Sequence, residues 1–489
     1  MYQKILSKSS YLTGLQCPKL LWVKIHEKER LPKIDPSKQA IFDNGHIIGE
    51  LAKKLFPHGI NISDNNFSEN LRKTKELISK RAPLFEPAFL INRLYARADI
   101  LVPVEDNKWD IYEVKSSTKV KDVNIHDVSF QKHVYELSGL NIRKSFIVHI
   151  NNQFVLDTQI IPEDFFHVTD ITEKVEDFSK NIKETIQNLL NIIDNKEPLN
   201  TIGVHCTSPY DCDIKHECWK HPEGNIFELY LDTQRGFELF ERGIIRLKDI
   251  PEDYELTTKQ FIQRACDIEQ KTHTNQTEVK TFLERLEYPI YYLDFETINP
   301  VVPKFKRMRP YQRIPFQYSL HMQESKNSSC KHISFLHKTT NDPRKEFLES
   351  LKNNLSDKGT ILVYNQSFEK SVLRECTEAY PEFQEWLQTI TPRIIDLLEP
   401  FRNFHYYSPK QKGSASIKKI LPVFSSRDYN SLEIGQGIIA NLKYEKAIFG
   451  NIPNEEQEKT FKALELYCEQ DTYAEVEIVR GLYKEVENQ

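Results

Sequence analysis

Four acidic residues in the second half of the chain have the types and spacing to hold divalent cations. Asp294 and Glu296 are two apart in the apolar segment YYLDFET, so on a strand they project from one face. Glu369 follows a strand-to-helix turn in LVYNQSFEKSVL, and Tyr467 and Asp471 lie four apart on one helix face in LELYCEQDTYAE. Two cations ~3.5–4 Å apart between such acids suit in-line phosphodiester hydrolysis, with Tyr467 orienting the attacking water. Each motif alone often occurs by chance, and Glu369 or Asp471 alone would be interpreted as a solvated acid on a helix.

A second charged set flanks the turn-rich segment VEDN. The strands YARADILVPV and KWDIYEVKSS are expected to fold back about Asp106, which places Asp99 opposite Glu113. Because side chains alternate along a strand, Glu113 and Lys115 should project from one exposed face while Val114 points to the core. Two carboxylates can hold Mg²⁺ or Mn²⁺, and the ammonium can position a water near a phosphate. The alternative is an ordinary exposed hairpin with salt bridges.

Four of the eight cysteines are candidate ligands of a metal cluster: Cys17, Cys206, Cys212 and Cys218. The last three are separated by five residues each time, which is wider than the C-x₂-C knuckle of zinc ribbons. A [4Fe–4S] cluster needs four thiolates, so Cys17 is expected as the fourth ligand. The alternatives are zinc bound by cysteine with His205, His216 or His221, and free buried thiols. The other four cysteines are expected to be packing residues.

The elements that must position these residues alternate between helix and strand. Residues 1–225 combine helical patterns such as FDNGHIIGELAKKLF with strand-like runs such as RKSFIVHI, which predicts an α/β arrangement. Residues 226–286 have helical periodicity and little strand signal, which predicts a helical connector. From residue 287, three strands (YPIYYLDFET, RIPFQYSLHMQ and CKHISFLHK), the helix RKEFLESLKNNL and the strand TILVY precede a long amphipathic C-terminal helix.

Composition favours a soluble cytoplasmic protein without a membrane-spanning segment. The 489 residues are 39 % hydrophobic and 28 % charged, with no long apolar run and no N-terminal leader pattern. Eight cysteines are too sparse for a disulfide scaffold, which is consistent with a reducing compartment. With a net charge of −5 the surface is not positively charged throughout, but a nucleic-acid enzyme needs only local basic grooves. Two basic stretches, 303–313 and 409–419, are candidates, although each alone is typical of a solvated face.

The set around Asp99 resembles the RecB-like branch of the PD-(D/E)XK nuclease superfamily, in which the acid, E-x-K, an upstream His after Gly and a downstream Q-x-x-x-Y recur in this order. The resemblance implies that His46 in NGHIIGE is a third metal ligand. It also implies that Gln131 and Tyr135, on one helix face in FQKHVYELSG, contact the nucleic acid. By itself His46 would be read as a helix-surface histidine. Ala98 stands where Pro is usual, a departure common in that branch.

The cysteine pattern resembles the iron–sulfur staple of RecB-type nucleases such as AddB and the CRISPR adaptation nuclease. In those proteins a lone N-terminal cysteine and a C-terminal triplet bind a cluster that ties the ends of the nuclease domain together. The resemblance implies the same role for Cys17 and the triplet.

The second acidic set resembles the DnaQ-like DEDD exonucleases of the ribonuclease-H fold, in the tyrosine subclass. Asp294 and Glu296 match the first motif (D-x-E), NQSFE matches N-x-x-F-D with Glu369 in place of Asp, and Tyr467 with Asp471 matches Y-x-x-x-D. The side chain of Glu369 is one methylene longer than the usual Asp, which lengthens a metal-bridging arm. Asp396 in RIIDLL is expected to be structural.

Taken whole, the chain resembles a bacterial family that fuses the two nuclease types. The expected domains are a PD-(D/E)XK domain with an iron–sulfur staple (1–225), a helical connector (226–286) and a ribonuclease-H-like DEDDy domain (287–489). The expected function is a Mg²⁺- or Mn²⁺-dependent DNA nuclease with two active sites, the second running 3′→5′ on single strands or duplex ends. RNA stays open as a substrate, because the metal chemistry does not select the sugar. The alternative is a non-catalytic nucleic-acid-binding or scaffold protein with decayed sites, and protein partners are unknown.

Overall fold

The protein is mixed α/β and divides into two compact units. A computed structural model describes residues 4–62, 66–429 and 432–487. The first unit runs to Lys220 and includes Val301–Pro310; the second comprises His221–Pro300 and the chain from Tyr311 onward. Within the described residues no helix is both long and apolar enough to cross a bilayer. The segment 226–286, expected as a helical connector, falls within the second unit.

The first unit contains nine α-helices and nine strands within its described residues. Its helices are α1 (Lys8–Gln16), α2 (Pro18–His26), α3 (Pro36–Lys53), α4 (Phe67–Leu77), α5 (Asp122–Leu137), α6 (Pro162–Phe165), α7 (Thr172–Ser179), α8 (Ile182–Asp194) and α9 (Lys215–Cys218). Its strands are β1 (Leu6–Ser7), β2 (Ile60–Asn61), β3 (Leu84–Phe85), β4 (Ala88–Ile91), β5 (Leu94–Arg97), β6 (Ile100–Val104), β7 (Lys108–Lys115), β8 (Asn141–Ile150) and β9 (Phe166–Asp170).

A six-stranded sheet of order β2-β3-β6-β7-β8-β9 organises this unit. The predicted hairpin is confirmed: β6 and β7 are antiparallel, with Ile100 opposite Tyr112. Asp106 and Asn107 at the turn adopt left-handed φ angles of 56° and 59°, which Asp and Asn tolerate better than most residues. The return from β7 to its parallel neighbour β8 passes through α5, as a parallel connection requires.

The segment YARADILVPV is two strands, where the sequence predicts one. Strand β5 belongs to a three-stranded sheet of order β1-β5-β4, whereas β6 belongs to the six-stranded sheet. At the break, the Ala98 amide donates to the Tyr135 hydroxyl (2.8 Å), and the Asp99 carbonyl accepts from the Glu86 amide (2.9 Å). The chain therefore passes from one sheet to the other at the candidate acid, Asp99.

The second unit contains ten α-helices and seven strands within its described residues. Its helices are α10 (Thr233–Glu241), α11 (Thr258–Glu269), α12 (Gln276–Glu284), α13 (Arg344–Asn354), α14 (Gln366–Ala379), α15 (Gln384–Ile390), α16 (Glu399–Arg402), α17 (Ile417–Phe424), α18 (Gly437–Phe449) and α19 (Asn454–Glu487). Its strands are β10 (His273–Thr274), β11 (Ile290–Ile298), β12 (Ile314–Gln323), β13 (Lys331–Leu336), β14 (Thr360–Val363), β15 (Ile394–Asp396) and β16 (Tyr406–Tyr407).

A five-stranded sheet of order β13-β12-β11-β14-β15 forms the centre of the second unit. Strands β11, β12 and β13 are antiparallel, as their succession in the sequence predicts, while β14 and β15 run parallel to β11. The long helix α19 contributes Val476 and Val479 to a core with Tyr292. Strand β11 is buried along most of its length, which explains its nearly continuous apolar sequence.

The segment expected as a connector packs into this unit. Val279 and Phe282 of α12 lie in the same core as Tyr292, and β10 pairs with β16. A fragment cut near residue 280 would therefore lose part of its own core.

Candidate functional sites

Three of the four candidate acids of the second unit converge. Asp294 and Glu296 on β11 and Asp471 on α19 each offer a carboxylate oxygen, and these three oxygens lie within 4.8 Å of one another. Glu296 and Asp471 are both only 8 % exposed. Strand alternation brings the first two to one face, and α19 places the third against that face. The two buried carboxylates and the half-buried carboxylate of Asp294 form, at this separation, a site suited to a hard divalent cation.

Glu369 and Glu475 are two further buried acids near this group. Glu369 lies in the first turn of α14, is 2 % exposed, and lies outside the 4.8 Å group. Glu475 lies one helical turn beyond Asp471 and is 1 % exposed. One Glu369 oxygen and both Glu475 oxygens have no hydrogen-bond partner within the described chain. Glu475 was not predicted as a site residue, although its i,i+4 spacing from Asp471 places both acids on one face of the helix.

Without a bound cation, ionisation of these carboxylates is energetically unfavourable. Burial, followed by the charge of neighbouring acids, raises the pKa of Asp294 and Glu296 well above the usual range. Burial and Asp294 do the same to the pKa of Glu369 and Glu475. Burial raises the pKa of Asp471 to about 6, although hydrogen bonds from tyrosine oppose the shift. Such clustered, shifted groups mark functional sites.

Hydroxyl, ammonium and thiol groups surround the acids. The Tyr429 hydroxyl donates to Asp471 Oδ1 at 2.6 Å, and Lys418 Nζ donates to the Tyr467 hydroxyl at 3.3 Å. Burial raises the pKa of Tyr467, so its phenol stays protonated. Cys468, expected to be a packing residue, is buried with its Sγ 3.8 Å from Asp294 Oδ2. Tyr467 thus lies beside the acids with a proton to donate.

A basic cleft adjoins this site. It has a volume of about 780 Å³, and its lining includes Lys410, Lys418, Lys419 and Arg427 together with Tyr429. The N-terminus of α18 borders the acids, because a Cβ on Gly437 would lie 3.8 Å from Glu296 Oε2 and 4.0 Å from the Tyr467 hydroxyl. Cations and a helix N-terminus both favour phosphate groups.

Asp396 has a structural role, as predicted. Its Oδ1 accepts hydrogen bonds from the backbone amides of Asn365 (2.9 Å) and Leu398 (3.0 Å), and its Oδ2 pairs with Arg402 (3.2 Å). These contacts fix the turn that leads into α14 and hence the start of the helix that carries Glu369.

In the first unit, the hairpin pairs Ile100 with Tyr112, and Asp99 and Glu113 are the next residues along the chain on either side of this pair. Asp99 Oδ2 accepts from the Val114 amide at 2.7 Å, and Lys115 Nζ lies 2.6 Å from Glu113 Oε1. The exposed face that the sequence predicts for these residues is wrong, because Glu113 is only 1 % exposed. Helix α5 packs over the strand and covers the carboxylate.

Two charged residues that the sequence analysis missed complete this cluster. Lys8 Nζ donates to Glu113 Oε1 at 2.7 Å, and Lys115 Nζ donates to Asp127 Oδ2 at 2.7 Å. Asp127 lies four residues before Gln131 on α5, so the helix period could have indicated it. Lys8 is 105 residues from Glu113, and no local pattern relates them.

The two acids of the hairpin titrate in opposite directions. Burial and the neighbouring Glu113 raise the pKa of Asp99 to about 7. Burial also acts to raise the pKa of Glu113, but the charges of Lys115 and Lys8 outweigh it and hold that pKa well below its usual range. The cluster therefore contains a firmly ionised glutamate beside an aspartate that takes up a proton near neutral pH.

Gln131 and Tyr135 support this cluster from inside the core. Both are 0 % exposed, so neither presents the side chain to a nucleic acid that the resemblance implies. Gln131 Nε2 donates to Glu113 Oε2 and to Asp127 Oδ1, each at 2.9 Å. The Tyr135 hydroxyl donates to the Pro87 carbonyl at 2.6 Å. The expected third ligand, His46, is exposed on α3 and joins no group of potential ligands in the described chain.

The four candidate cysteines are brought into one region of the first unit. Cys17 caps α2, and its Sγ accepts from the Leu20 amide (3.4 Å) and the Asn200 side chain (3.2 Å). A hydrogen bond with Cys212 lowers the pKa of Cys17 to about 5. Cys206 and Cys218 are close enough to affect this pair electrostatically. No three of these sulfurs lie within 4.8 Å of one another in the part of the chain that the structure describes.

Comparisons with known proteins give relatives without a stated activity. The domain of unknown function DUF2779 matches residues 291–416, which include Asp294, Glu296 and Glu369. The uncharacterized MG366 homolog of Mycoplasma pneumoniae is 29% identical over 218 residues, 41% of this chain and 33% of the relative. The uncharacterized protein UU173 of Ureaplasma parvum is 25% identical over 250 residues, 42% of this chain and 35% of the relative. The chain spans about a third of the length of these curated relatives.

Proposed function

We propose that the chain is a divalent-metal-dependent nuclease with two active sites, and that the second unit is a DEDDy-type 3′→5′ exonuclease of ribonuclease-H-like fold. The observation that carries the proposal is the convergence of Asp294, Glu296 and Asp471 within 4.8 Å. Burial and the neighbouring acids raise the pKa of Asp294 and Glu296, so ionising these carboxylates in the folded protein costs free energy. A divalent cation would relieve this cost.

The second site has residues for both halves of two-metal chemistry. Asp294, Glu296 and Asp471 would hold one cation, and Asp294 with Glu369 and Glu475 would hold the other. When bound, the cations would activate a water and neutralise charge on the phosphate. The protonated Tyr467 hydroxyl would orient the attacking water. Lys418 beside it would hold the phenol in place.

Glu475 would compensate for the longer side chain of Glu369. Glu369 replaces the Asp typical of this motif and lies outside the close group. Glu475 brings a further buried carboxylate with no hydrogen-bond partner in the described chain. We expect Glu475 to join Asp294 and Glu369 around the second cation and to add an oxygen ligand to that set.

The basic cleft beside the site is the proposed path of the nucleic-acid strand. Its lysines and arginine would contact the phosphate backbone, and the N-terminus of α18 would receive the phosphate next to the acids. DNA is the proposed substrate. RNA is the second substrate to test, because contacts to phosphates do not distinguish the sugar.

For the first unit we propose a PD-(D/E)XK nuclease site at Asp99, Glu113 and Lys115. Asp99 and Glu113 would hold the cation, and Lys115 would position the nucleophile. Asp127 and Gln131 hold Lys115 and Glu113 from the α5 side, which fixes the geometry of the pair. The ion pair of Lys8 with Glu113 means that a cation must compete with an ammonium at this carboxylate.

We propose that the cysteine group binds a [4Fe–4S] cluster, with a single zinc ion as the alternative. Zinc binds thiolates at ~2.3 Å, so its four sulfurs lie about 3.8 Å apart. No three of the four sulfurs here lie within 4.8 Å of one another in the described chain, and the hydrogen bond that lowers the pKa of Cys17 raises the pKa of Cys212. A cluster bound there would tie α2 to the 206–218 segment.

Digestion of end-labelled single- and double-stranded DNA and RNA tests the proposal. The full chain is incubated with Mg²⁺ or Mn²⁺ and compared with Asp294→Ala, Lys115→Met and the double variant. We expect each single variant to retain the products of the other site, and the double variant to cut nothing. Binding of nucleic acid without cleavage by the wild type, under every metal condition, would favour the scaffold function.

A further inference from the structure

Two histidines and a glutamate form a separate group of potential metal ligands in the second unit. His321 on β12, His332 on β13 and Glu469 on α19 each offer a ligand atom, and these atoms lie within 4.8 Å of one another. The two imidazole rings are stacked, with centroids 4.6 Å apart and 29° between their planes. His332 Nδ1 faces Glu469 Oε1 at 3.8 Å. Neither the acids of the proposed active site nor the cysteines belong to this group.

Each imidazole is oriented by a hydrogen bond at one nitrogen, so the other nitrogen remains for a ligand. His321 Nδ1 pairs with the Thr472 hydroxyl at 2.8 Å, and His332 Nε2 pairs with the Ser319 hydroxyl at 2.9 Å. The two hydroxyls are themselves 2.7 Å apart, which joins both rings into one network. Such second-shell contacts fix the ring orientation and tautomer at metal sites.

We infer that His321, His332 and Glu469 bind a borderline transition-metal cation such as Zn²⁺, with the open positions taken by water. Imidazole nitrogen selects zinc and related ions, whereas the all-carboxylate group around Asp294 selects magnesium, calcium or manganese. Glu469 brings the one negative charge of the ligand set. Arg480, the cation that acts on His321, is itself paired with Glu477 at 3.1 Å.

The location indicates a structural role for this ion. It would connect β12 and β13, which already pair through their backbones, to α19, which packs on them through side chains and the hydroxyl network. Thr472 in that network follows Asp471 directly, so the ion would brace the turn of α19 that carries an acid of the proposed active site. We expect Zn²⁺ to protect α19 from local opening even when no nuclease metal is bound.

Zinc binding by the full chain tests the inference. Equilibrium dialysis against Zn²⁺ is performed in a large excess of Mg²⁺, which occupies the carboxylate sites, and bound metal is counted per chain. His332→Gln and Glu469→Gln should each lose one equivalent of bound Zn²⁺ relative to wild type. Both side chains are partly exposed, so the substitutions leave the core intact. Zinc at the cysteines contributes equally to every variant and cancels in the comparison.

Two further variants make the test specific. His405→Gln is the matched control, because His405 likewise faces a single glutamate, Glu278, at 4.0 Å but belongs to no ligand group of the described chain. It should bind as much zinc as the wild type. Ser319→Ala removes the hydrogen bond to His332 and should weaken this equivalent about 10–100-fold. Equal zinc content in wild type, His332→Gln and Glu469→Gln would overturn the inference.

Discussion

Replacing Asp471 with Asn should stabilise the metal-free protein at the expense of its metal site. In the fold the pKa of Asp471 rises from 3.8 to about 6, chiefly through burial. One pKa unit corresponds to ~1.4 kcal/mol, so about two units give a penalty of ~3 kcal/mol for ionised Asp471. Because the folded pKa is the higher one, stability is lost as the pH rises from ~4 through ~6. The penalty is complete at pH 8.

Hydrogen exchange along α19 measures this effect in the intact chain. In EDTA at pH 8, Asp471→Asn should raise protection of the helix amides by up to ~100-fold, which is the ~3 kcal/mol above expressed as an equilibrium constant. At pH 4 the two proteins should be alike. With Mn²⁺ in excess the order should reverse, because the wild type gains a bound ion and the variant does not.

Asp396→Asn is the matched control for the sign of that effect. Asp396 is also buried, but it accepts two backbone hydrogen bonds and pairs with Arg402. Its replacement should lower protection at the start of α14 by about 1–3 kcal/mol. Lower protection of α19 in Asp471→Asn at pH 8 without metal would refute the view that ionised Asp471 destabilises the metal-free fold.

Three other substitutions separate the proposed roles. Tyr467→Phe should slow 3′-end trimming up to ~100-fold while Mn²⁺ affinity, measured by calorimetry, stays unchanged, because the phenol orients water and holds no cation. Glu369→Asp should impair trimming if Glu369 is an adapted ligand, and an increase in rate would instead mark it as a decayed one. Cys17→Ala should bleach an iron–sulfur absorption band and loosen the first unit; unchanged colour, or stoichiometric zinc in anaerobically purified wild type, would remove the cluster from the account.

Local periodicity was sufficient to predict the elements that carry the acids. The alternation in YYLDFET and the four-residue spacing of Tyr467 and Asp471 each describe one face of one element, and both faces are as expected. The hairpin followed from a turn signal between two strand-like runs. These features depend only on neighbours along the chain.

Tertiary packing determined the features of the sites that local sequence patterns did not predict. Burial of Glu113 results from α5 folding over β7, and Lys8 reaches it across 105 residues. The strand break before Asp99 depends on a hydrogen bond from Ala98 to the distant Tyr135. Glu475 differs from these cases, since its spacing from Asp471 was visible and only its lack of a hydrogen-bond partner required the fold.

The most direct test of the central claim is the product ladder from 5′-labelled single-stranded DNA. The full-length Lys115→Met protein, which retains only the second proposed site, is incubated with Mn²⁺ and compared with the same protein also carrying Asp294→Ala. We predict successive shortening from the 3′ end by the first protein and intact DNA with the second. An unshortened 3′ end with the first protein, while calorimetry shows Mn²⁺ bound, would contradict the claim that Asp294, Glu296 and Asp471 form an exonuclease site.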